Sequence, residues 1–300
     1  MASLKAELQG TASPDAVDRV KASLADRYQI KREIGSGGMA TVYLAEDRKH
    51  RRPVALKIFR PPSPDAPGTH RFLREIDIVS RLTHPHILPL HDSGEVEGIP
   101  YYVAPYVDGG SLRDWLEREG QLPLGPALSI SQQVATALHF AHGNGVVHRD
   151  IKPENILLVN SNALVADFGI AHAICVGCVD SLGGVLVGTP DYISPEQATE
   201  DNVDPRSDVY SLACVLYEML TGEVPYVGGG VMKTLTRHLS DPIPSVRRLR
   251  PDVPAVVDAA IAKALAKRPD DRFPTAEVLR EVLAGTVPSR TTVGTGLPAG

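Results

Sequence analysis

Cysteine is scarce in this chain of 300 residues, which contains only Cys175, Cys178 and Cys214. An odd and sparse set does not describe the disulfide framework of a small secreted protein, so a reducing compartment is expected. The first ten residues also lack the basic and apolar regions of a signal peptide. Together these absences predict a cytoplasmic protein.

Long apolar runs are missing as well. The longest strongly apolar stretch, 209–220, contains Tyr210, Ser211, Tyr217 and Glu218. It is too short and too polar to span a bilayer. We therefore expect a soluble chain with no membrane segment.

The chain also lacks an excess of positive charge, because its formal net charge is −5 at pH 7. This balance argues against a protein built mainly to hold nucleic acid or anionic lipid. The composition does provide a hydrophobic fraction of 43% and a charged fraction of 22% with both signs mixed. Such a chain can bury a substantial core, either as one large domain or as two lobes that share a cleft.

The first third of the chain has the pattern of a β-sheet with one helix. Apolar and β-branched clusters broken by glycine predict five strands, at 28–34, 41–46, 54–59, 87–91 and 101–106. Apolar residues at helical spacing predict a helix over 70–82. The sequence thus predicts a small lobe over 28–106.

Beyond residue 109 the pattern becomes helical. Helices are predicted at 111–119, 124–144, 207–220, 253–266 and 275–284, with two short strands at 156–159 and 163–166. We expect a larger helical lobe over 107–284. An N-terminal extension with some helical character, 1–27, precedes the two lobes, and a flexible tail rich in Gly, Pro and Thr, 285–300, follows them.

A glycine-rich segment, GSGGMATV at 35–42, lies between the first two predicted strands. Gly35, Ser36, Gly37 and Gly38 would let backbone N–H groups approach a phosphate closely. Taken alone, the segment also suits a dinucleotide-binding turn or an ordinary hairpin turn. A dinucleotide turn is followed by a helix, whereas β-branched residues follow here, so a loop that joins two strands is favoured.

Lys57 ends an apolar strand, which places its ammonium group at a buried edge. A buried charge needs an anionic partner, and the helix over 70–82 offers Glu75. The pair has two interpretations, a purely structural salt bridge or a carboxylate that orients Lys57 toward the α and β phosphates of a nucleotide.

The most specific segment is HRDIKPEN at 148–155, followed by DFG at 167–169. Phosphoryl transfer needs a metal that bridges phosphate oxygens and a group that orients the attacking hydroxyl. Asn155 and Asp167 supply the hard oxygen ligands that suit Mg²⁺. Asp150 is then available to accept the hydroxyl proton, and Lys152 to neutralise charge on the transferred group.

With these motifs in this order, the sequence resembles the eukaryotic-type protein kinases, in the form found in bacterial serine/threonine kinases. The matching motifs are the glycine loop at 35–42, VALK at 54–57, HRDIKPEN, DFG and SPE at 194–196. The resemblance implies an α+β, two-lobed fold, with a small antiparallel sheet and one main helix in the N-lobe and a larger helical C-lobe. It also implies transfer of the γ-phosphate of ATP to Ser or Thr of protein substrates, with Mg²⁺ or alternatively Mn²⁺.

The resemblance further assigns the adenine site. Val42, Ala55 and Leu157 match the apolar residues that sandwich the ring, while backbone groups of Pro105 and Val107 would read its edge. Ala104 stands at the gatekeeper position, where related kinases often carry methionine. An alanine there should open a pocket behind the adenine and make the protein sensitive to bulky ATP-competitive inhibitors.

Three supporting roles are also implied by the resemblance. Asp208 would brace the backbone of the catalytic loop, and Arg272 would pair with Glu196. Thr189, within the serine/threonine pattern GTPDY at 188–192, would bond to Asp150 and Lys152 and help seat an aliphatic hydroxyl.

The segment between DFG and SPE is less regular than in the resembled family. Arg149 is of the kind that needs an anion from a phosphorylated loop residue, so we hypothesise that Ser181 is autophosphorylated. The C-x-x-C spacing of Cys175 and Cys178 admits a redox switch or part of a zinc site, although two ordinary thiols are favoured.

Two other function classes stay in view. A pseudokinase would show loss of Lys57, Asp150, Asn155 or Asp167, and none is lost. A small-molecule kinase of related fold is disfavoured by the stretch 188–196, which favours a protein acceptor. A homodimer could form for trans-autophosphorylation, and the chain could be the cytoplasmic part of a membrane-anchored receptor kinase if it is truncated.

Overall fold

The structure is a computed structural model that describes residues 14–37, 40–59, 75–168, 190–199 and 202–286. Several predictions lie outside these residues: those for Gly38, Thr189, Ser181, Cys175 and Cys178. Among the described residues, no helix is long and apolar enough to cross a membrane.

The small lobe contains a five-stranded antiparallel sheet. Its strands are β1 (Tyr28–Ser36), β2 (Ala40–Asp47), β3 (Arg52–Phe59), β4 (Asp92–Val96) and β5 (Ile99–Pro105), in the spatial order β1-β2-β3-β5-β4. Helix α1 (Pro14–Leu24) packs Val17 and Val20 against the outer face of this sheet. Residues 75–80 form the described part of helix α2. The predicted α+β fold with a small antiparallel-sheet lobe is confirmed.

One predicted strand is wrong. Residues 87–91 form no strand, and Ile87 makes only an isolated bridge to Val165 in the large lobe. The N–H of Leu88 donates to the Val165 carbonyl at 2.9 Å. The segment is apolar because it packs between the lobes, and an apolar run of this length has the same composition in a strand or in such a connection.

Alternation along β3 separates the core of the small lobe from the cleft. Val54, Leu56 and Ile58 are fully buried on the side that faces α1, so Ala55 and Lys57 project from the opposite side. Across the ladder, Ala55 pairs with Ala104 and Lys57 pairs with Tyr102. The sheet therefore presents these four residues to the space between the lobes.

The large lobe is helical, with a short β-ribbon on the side that faces the small lobe. Its helices are α3 (Leu112–Glu119), α4 (Leu124–Gly143), α5 (Pro195–Ala198), α6 (Pro205–Thr221), α7 (Val231–Ser240), α8 (Ala255–Ala264) and α9 (Ala276–Ala284), and the ribbon is β6 (Ile156–Val159) with β7 (Asn162–Val165). Helix α6 is buried on almost every side, as the sequence predicts for a central helix. Ser111 caps α3 by accepting from the N–H of Asp114, which confirms the predicted start.

Helix α7 was not predicted from the sequence. Its buried face consists of Thr234, Leu235 and His238, while Met232 is 70% exposed. Val231, Leu235 and Leu239 recur at helical spacing, but Val231 and Leu239 are exposed and polar residues form most of the buried side. The burial of this helix therefore does not follow its apolar residues.

Candidate active site

A cavity of about 410 Å³ lies between the two lobes. Eight of the predicted site residues line it: Gly35, Val42, Ala55, Lys57, Pro105, Val107, Leu157 and Asp167. Five of these come from the small lobe sheet and Leu157 comes from the ribbon of the large lobe. The fold thus brings together residues that are up to 132 positions apart in sequence, as between Gly35 and Asp167.

The glycine-rich segment lies between β1 and β2, and its described residues are 35–37 and 40–42. Gly35 lies opposite Val42 in the ladder, and the N–H of Gly37 donates to the Ala40 carbonyl at 2.9 Å. A strand follows the glycines, which confirms the predicted strand-to-strand loop and excludes a dinucleotide-binding turn.

Lys57 forms an ion pair with Asp167, whose Oδ2 lies 2.7 Å from the ammonium nitrogen. The described ion pair of Lys57 is the one with Asp167, and the pairing of Lys57 with Glu75 stays a prediction. Sequence spacing could not decide between the two acids, because Asp167 lies 110 residues away along the chain. Its proximity depends on how the lobes pack.

Asp167 is held as a carboxylate. Burial disfavours its charged form, but the charge and hydrogen bond of Lys57, together with the hydroxyl of Tyr102, lower its pKa below the usual range. Burial and the charge of Asp167 raise the pKa of Tyr102 well above its usual value, so the phenol is the donor to Asp167. Tyr102 was missed from the sequence, although its position two residues before Ala104 places both on one face of a strand.

Three predicted catalytic-loop residues contact one another. The ammonium of Lys152 lies 2.9 and 2.7 Å from the two carboxylate oxygens of Asp150. The side-chain amide of Asn155 donates to the backbone carbonyl of Asp150 at 2.7 Å and to its Oδ2 at 2.9 Å. The side chain of Asp150 is 40% exposed, so an incoming group can reach it.

The backbone around these residues is strained and braced. Arg149 and Asp167 have positive φ angles of 67° and 64°, which cost a residue with a Cβ of the order of 1–3 kcal/mol each. Asp208 accepts hydrogen bonds from the N–H groups of His148 and Arg149, both at 2.8 Å. The role expected for Asp208 is confirmed by these contacts.

A second predicted support is also confirmed. Arg272 and Glu196 form a buried, bidentate ion pair, with two N···O distances of 2.7 Å. Arg272 also donates to the backbone carbonyls of Ala266, Arg206 and Lys267. Since α5 carries Glu196 and the loop before α9 carries Arg272, the pair joins two segments of the large lobe that are 76 residues apart in sequence.

An arginine that sequence reasoning missed lies next to the catalytic loop. Arg113 on α3 donates to Glu154 at 2.9 Å, to Glu218 at 2.7 Å and to the hydroxyl of Tyr192 at 2.5 Å. Its three partners come from the catalytic loop, from α6 and from the segment before α5. A single Arg in an LRDWL run has no feature that would predict this network.

The donor atoms near the cleft suit Mg²⁺. Both described hydrogen bonds of the Asn155 side chain are donated by its amide nitrogen, which leaves the amide oxygen for a cation. Asp167 adds a carboxylate, and a hard cation with substrate phosphates and water needs only one or two such protein ligands. In the described part of the chain, no group of three or more His, Cys, Asp or Glu residues forms an all-protein metal cage.

Comparison with known sequences decides the family. The sequence model of the family described as protein kinase domain matches residues 28–283. This chain belongs to the protein kinase family. The kinase is 43% identical over 264 residues to the serine/threonine-protein kinase PknB of Mycobacterium leprae, a match that covers 86% of this chain and 42% of that protein.

A second relative has the same class of name. The kinase is 46% identical over 262 residues to the serine/threonine-protein kinase PknD of Mycobacterium tuberculosis, which covers 86% of this chain and 39% of that protein. The kinase thus spans about two-fifths of the length of these curated relatives. The predicted resemblance to eukaryotic-type serine/threonine kinases of the bacterial kind is confirmed.

The small gatekeeper residue carries a testable prediction. Ala104 is 1% exposed and lines the cavity opposite Ala55. We expect Ala104→Met to weaken inhibition by ATP-competitive compounds with a bulky group beyond the adenine by about tenfold. The added side chain would crowd that group, and steric crowding of this kind costs about 1–3 kcal/mol, where about 1.4 kcal/mol is tenfold.

Inhibition constants at matched ratios of ATP to its KM would measure this effect. A non-hydrolysable ATP analogue, which has no such group, is the control and should inhibit both proteins alike. Equal inhibition of both proteins by the bulky compounds would refute the prediction.

Proposed function

We propose that this kinase domain transfers the γ-phosphate of ATP to Ser or Thr hydroxyls of protein substrates. The observation that carries the proposal is the convergence of Lys57 and Asp167 at 2.7 Å across the two lobes. Beside them stands a catalytic loop in which Asp150, Lys152 and Asn155 are already in mutual contact.

Asp150 is proposed as the group that orients the acceptor hydroxyl and takes its proton. As the hydroxyl oxygen forms its bond to the γ-phosphorus, the bond from that phosphorus to the β–γ bridging oxygen breaks and ADP leaves. The proton moves from the hydroxyl to Asp150. Lys152, 2.7 Å from Asp150, would neutralise charge on the transferred group.

The nucleotide is proposed to lie in the cavity between the lobes. Val42, Ala55 and Leu157 would sandwich the adenine, with the backbone of Pro105 and Val107 at its edge.

The phosphates would be covered by the glycine-rich segment, through Gly35, Ser36, Gly37 and Gly38. Lys57 would bind the α and β phosphates, with Glu75 as its orienting partner. Bound Mg²⁺, or Mn²⁺, would neutralise the phosphate charge at Asn155 and Asp167.

A protein acceptor is supported by the names of the relatives, which are serine/threonine-protein kinases. Thr189, with its proposed bonds to Asp150 and Lys152, would help to seat an aliphatic hydroxyl.

The low cysteine content supports a cytoplasmic location. Cys214, a buried free thiol whose pKa is raised by burial, is consistent with a reducing compartment.

Transfer of radiolabel from γ-labelled ATP to a generic protein acceptor tests the proposal. We expect Mg²⁺-dependent label on Ser and Thr of the acceptor, identified by acid hydrolysis. Nucleotide binding without any transfer would instead indicate a pseudokinase. Label found only on small molecules would indicate a small-molecule kinase.

We also propose that Ser181 is autophosphorylated, in trans within a homodimer. The support is Arg149, whose buried Nε has no hydrogen-bond partner among the residues that the structure describes and whose positive charge suits a phosphate. Intact-mass measurement of active protein should show added phosphate that is lost in Ser181→Ala. An active preparation with no added mass would contradict this part of the proposal.

A further inference from the structure

Tyr102 is a buried phenol that reaches into the cleft, and no step of the proposed reaction uses it. It is 5% exposed and lines the same cavity as Lys57 and Asp167. Its hydroxyl donates a hydrogen bond to Oδ1 of Asp167. A hydrogen bond to an ionised carboxylate is shorter and stronger than one between neutral groups.

The position of Tyr102 follows from strand pairing. Tyr102 on β5 lies directly opposite Lys57 on β3, so the two side chains project from the same face of the sheet. The ammonium of Lys57 donates to Oδ2 of Asp167 at 2.7 Å, while the hydroxyl of Tyr102 donates to Oδ1. Two neighbouring strands of the small lobe thus hold the two oxygens of one carboxylate in the large lobe.

The ring of Tyr102 is itself held in place. It packs against Phe59 with a centroid distance of 5.9 Å. Asp167 is held at the other end by its positive φ of 64° and by the buried Phe168 that follows it, which packs on His148. A donor on a rigid strand that meets a carboxylate on a braced backbone fixes the rotation of that carboxylate.

We propose that Tyr102 is a positioning residue for metal binding, which orients the carboxylate of Asp167 so that its remaining lone pairs face the Mg²⁺ held with ATP. This inference rests on the proposed function. Partners of this kind, which hydrogen-bond to a metal ligand, typically contribute about 10–100-fold to metal affinity or activity. Phenylalanine keeps the ring and its packing and removes only the donor.

The test compares Tyr102→Phe with Tyr101→Phe. Tyr101 is the adjacent residue on β5, points to the opposite face and packs against the outer core of the small lobe. The probe is Mn²⁺ added to the domain with a non-hydrolysable ATP analogue, with free Mn²⁺ followed by electron paramagnetic resonance. We expect Tyr102→Phe to weaken Mn²⁺ binding by about tenfold or more, and Tyr101→Phe to bind like the wild type.

Steady-state kinetics add a second readout. The Mg²⁺ concentration for half-maximal rate should rise in Tyr102→Phe by a similar factor, while the KM for the protein acceptor stays constant. Equal Mn²⁺ affinity in the two variants would overturn the proposal. Tighter Mn²⁺ binding in Tyr102→Phe would also overturn it, since the hydroxyl would then compete with the metal.

Failure of the wild-type chain to phosphorylate any acceptor would refute the proposed function instead. The binding comparison would still decide the role of Tyr102, because it requires only metal and nucleotide. Asp167→Asn, which removes the carboxylate itself, gives the lower limit of Mn²⁺ affinity for the comparison.

Discussion

Asp150→Asn is expected to lower kcat by roughly 10²–10⁴, which is the usual contribution of a positioned acid or base. The substitution keeps the size of the side chain but replaces the carboxylate that accepts the hydroxyl proton with a neutral amide. Its contacts explain why the loop should survive the change: the amide can still accept from Asn155, and the backbone carbonyl of Asp150 still holds that residue at 2.7 Å. A rate assay with saturating ATP and acceptor measures the effect.

Two measurements make this prediction specific. Nucleotide binding in the presence of Mg²⁺ should be unchanged in Asp150→Asn, since Asn155 and Asp167 are intact. Asp252→Asn, the same substitution at a side chain that is 71% exposed before α8, should retain the wild-type kcat. An unchanged kcat in Asp150→Asn would exclude Asp150 as the base.

Arg272→Met is expected to destabilise the fold by about 3–5 kcal/mol, the cost of removing one partner of a buried ion pair. Both side chains are almost fully enclosed, so Glu196 would be left charged and unpaired within the large lobe. Three backbone carbonyls would lose their donor at the same time. Denaturant unfolding at pH 7 measures the change in free energy.

The same chain offers a matched control. Arg268→Met makes the identical substitution four residues earlier, at a side chain that is 77% exposed and lies 3.9 Å from Asp270. Exposed pairs of this kind contribute about 0–1 kcal/mol. Equal destabilisation by the two substitutions would contradict the structural role of the Arg272–Glu196 pair.

The pH dependence of the Arg272 effect has a definite sign. Burial opposes ionisation of Glu196, but the hydrogen bonds and charge of Arg272 lower its pKa below the usual 4.5. A carboxyl group with a lowered pKa contributes stability above its unfolded pKa and loses it as the pH falls through its folded pKa. The difference in the free energy of unfolding between Arg272→Met and the wild type should therefore become smaller at pH values below 4.5.

Much of the fold could be predicted because local patterns and tertiary packing agree. Three local patterns each specify their own element: the alternation in β2 and β3, the capping residue Ser111 and the mainly apolar run 209–220 within α6. The prediction failed where burial and polarity disagree. Residues 87–91 are apolar because they pack between the lobes rather than in a strand. Helix α7 buries the polar residues Thr234 and His238.

The sequence by itself determined the family and the set of chemical groups, because motifs such as HRDIKPEN and DFG are contiguous and keep their residue types in a fixed order. Only the tertiary structure decided which groups meet. It paired Lys57 with Asp167 and placed the hydroxyl of Tyr102 on the same carboxylate. Contacts between residues more than 60 positions apart depend on strand register and lobe packing, and a reading of local sequence patterns does not contain them.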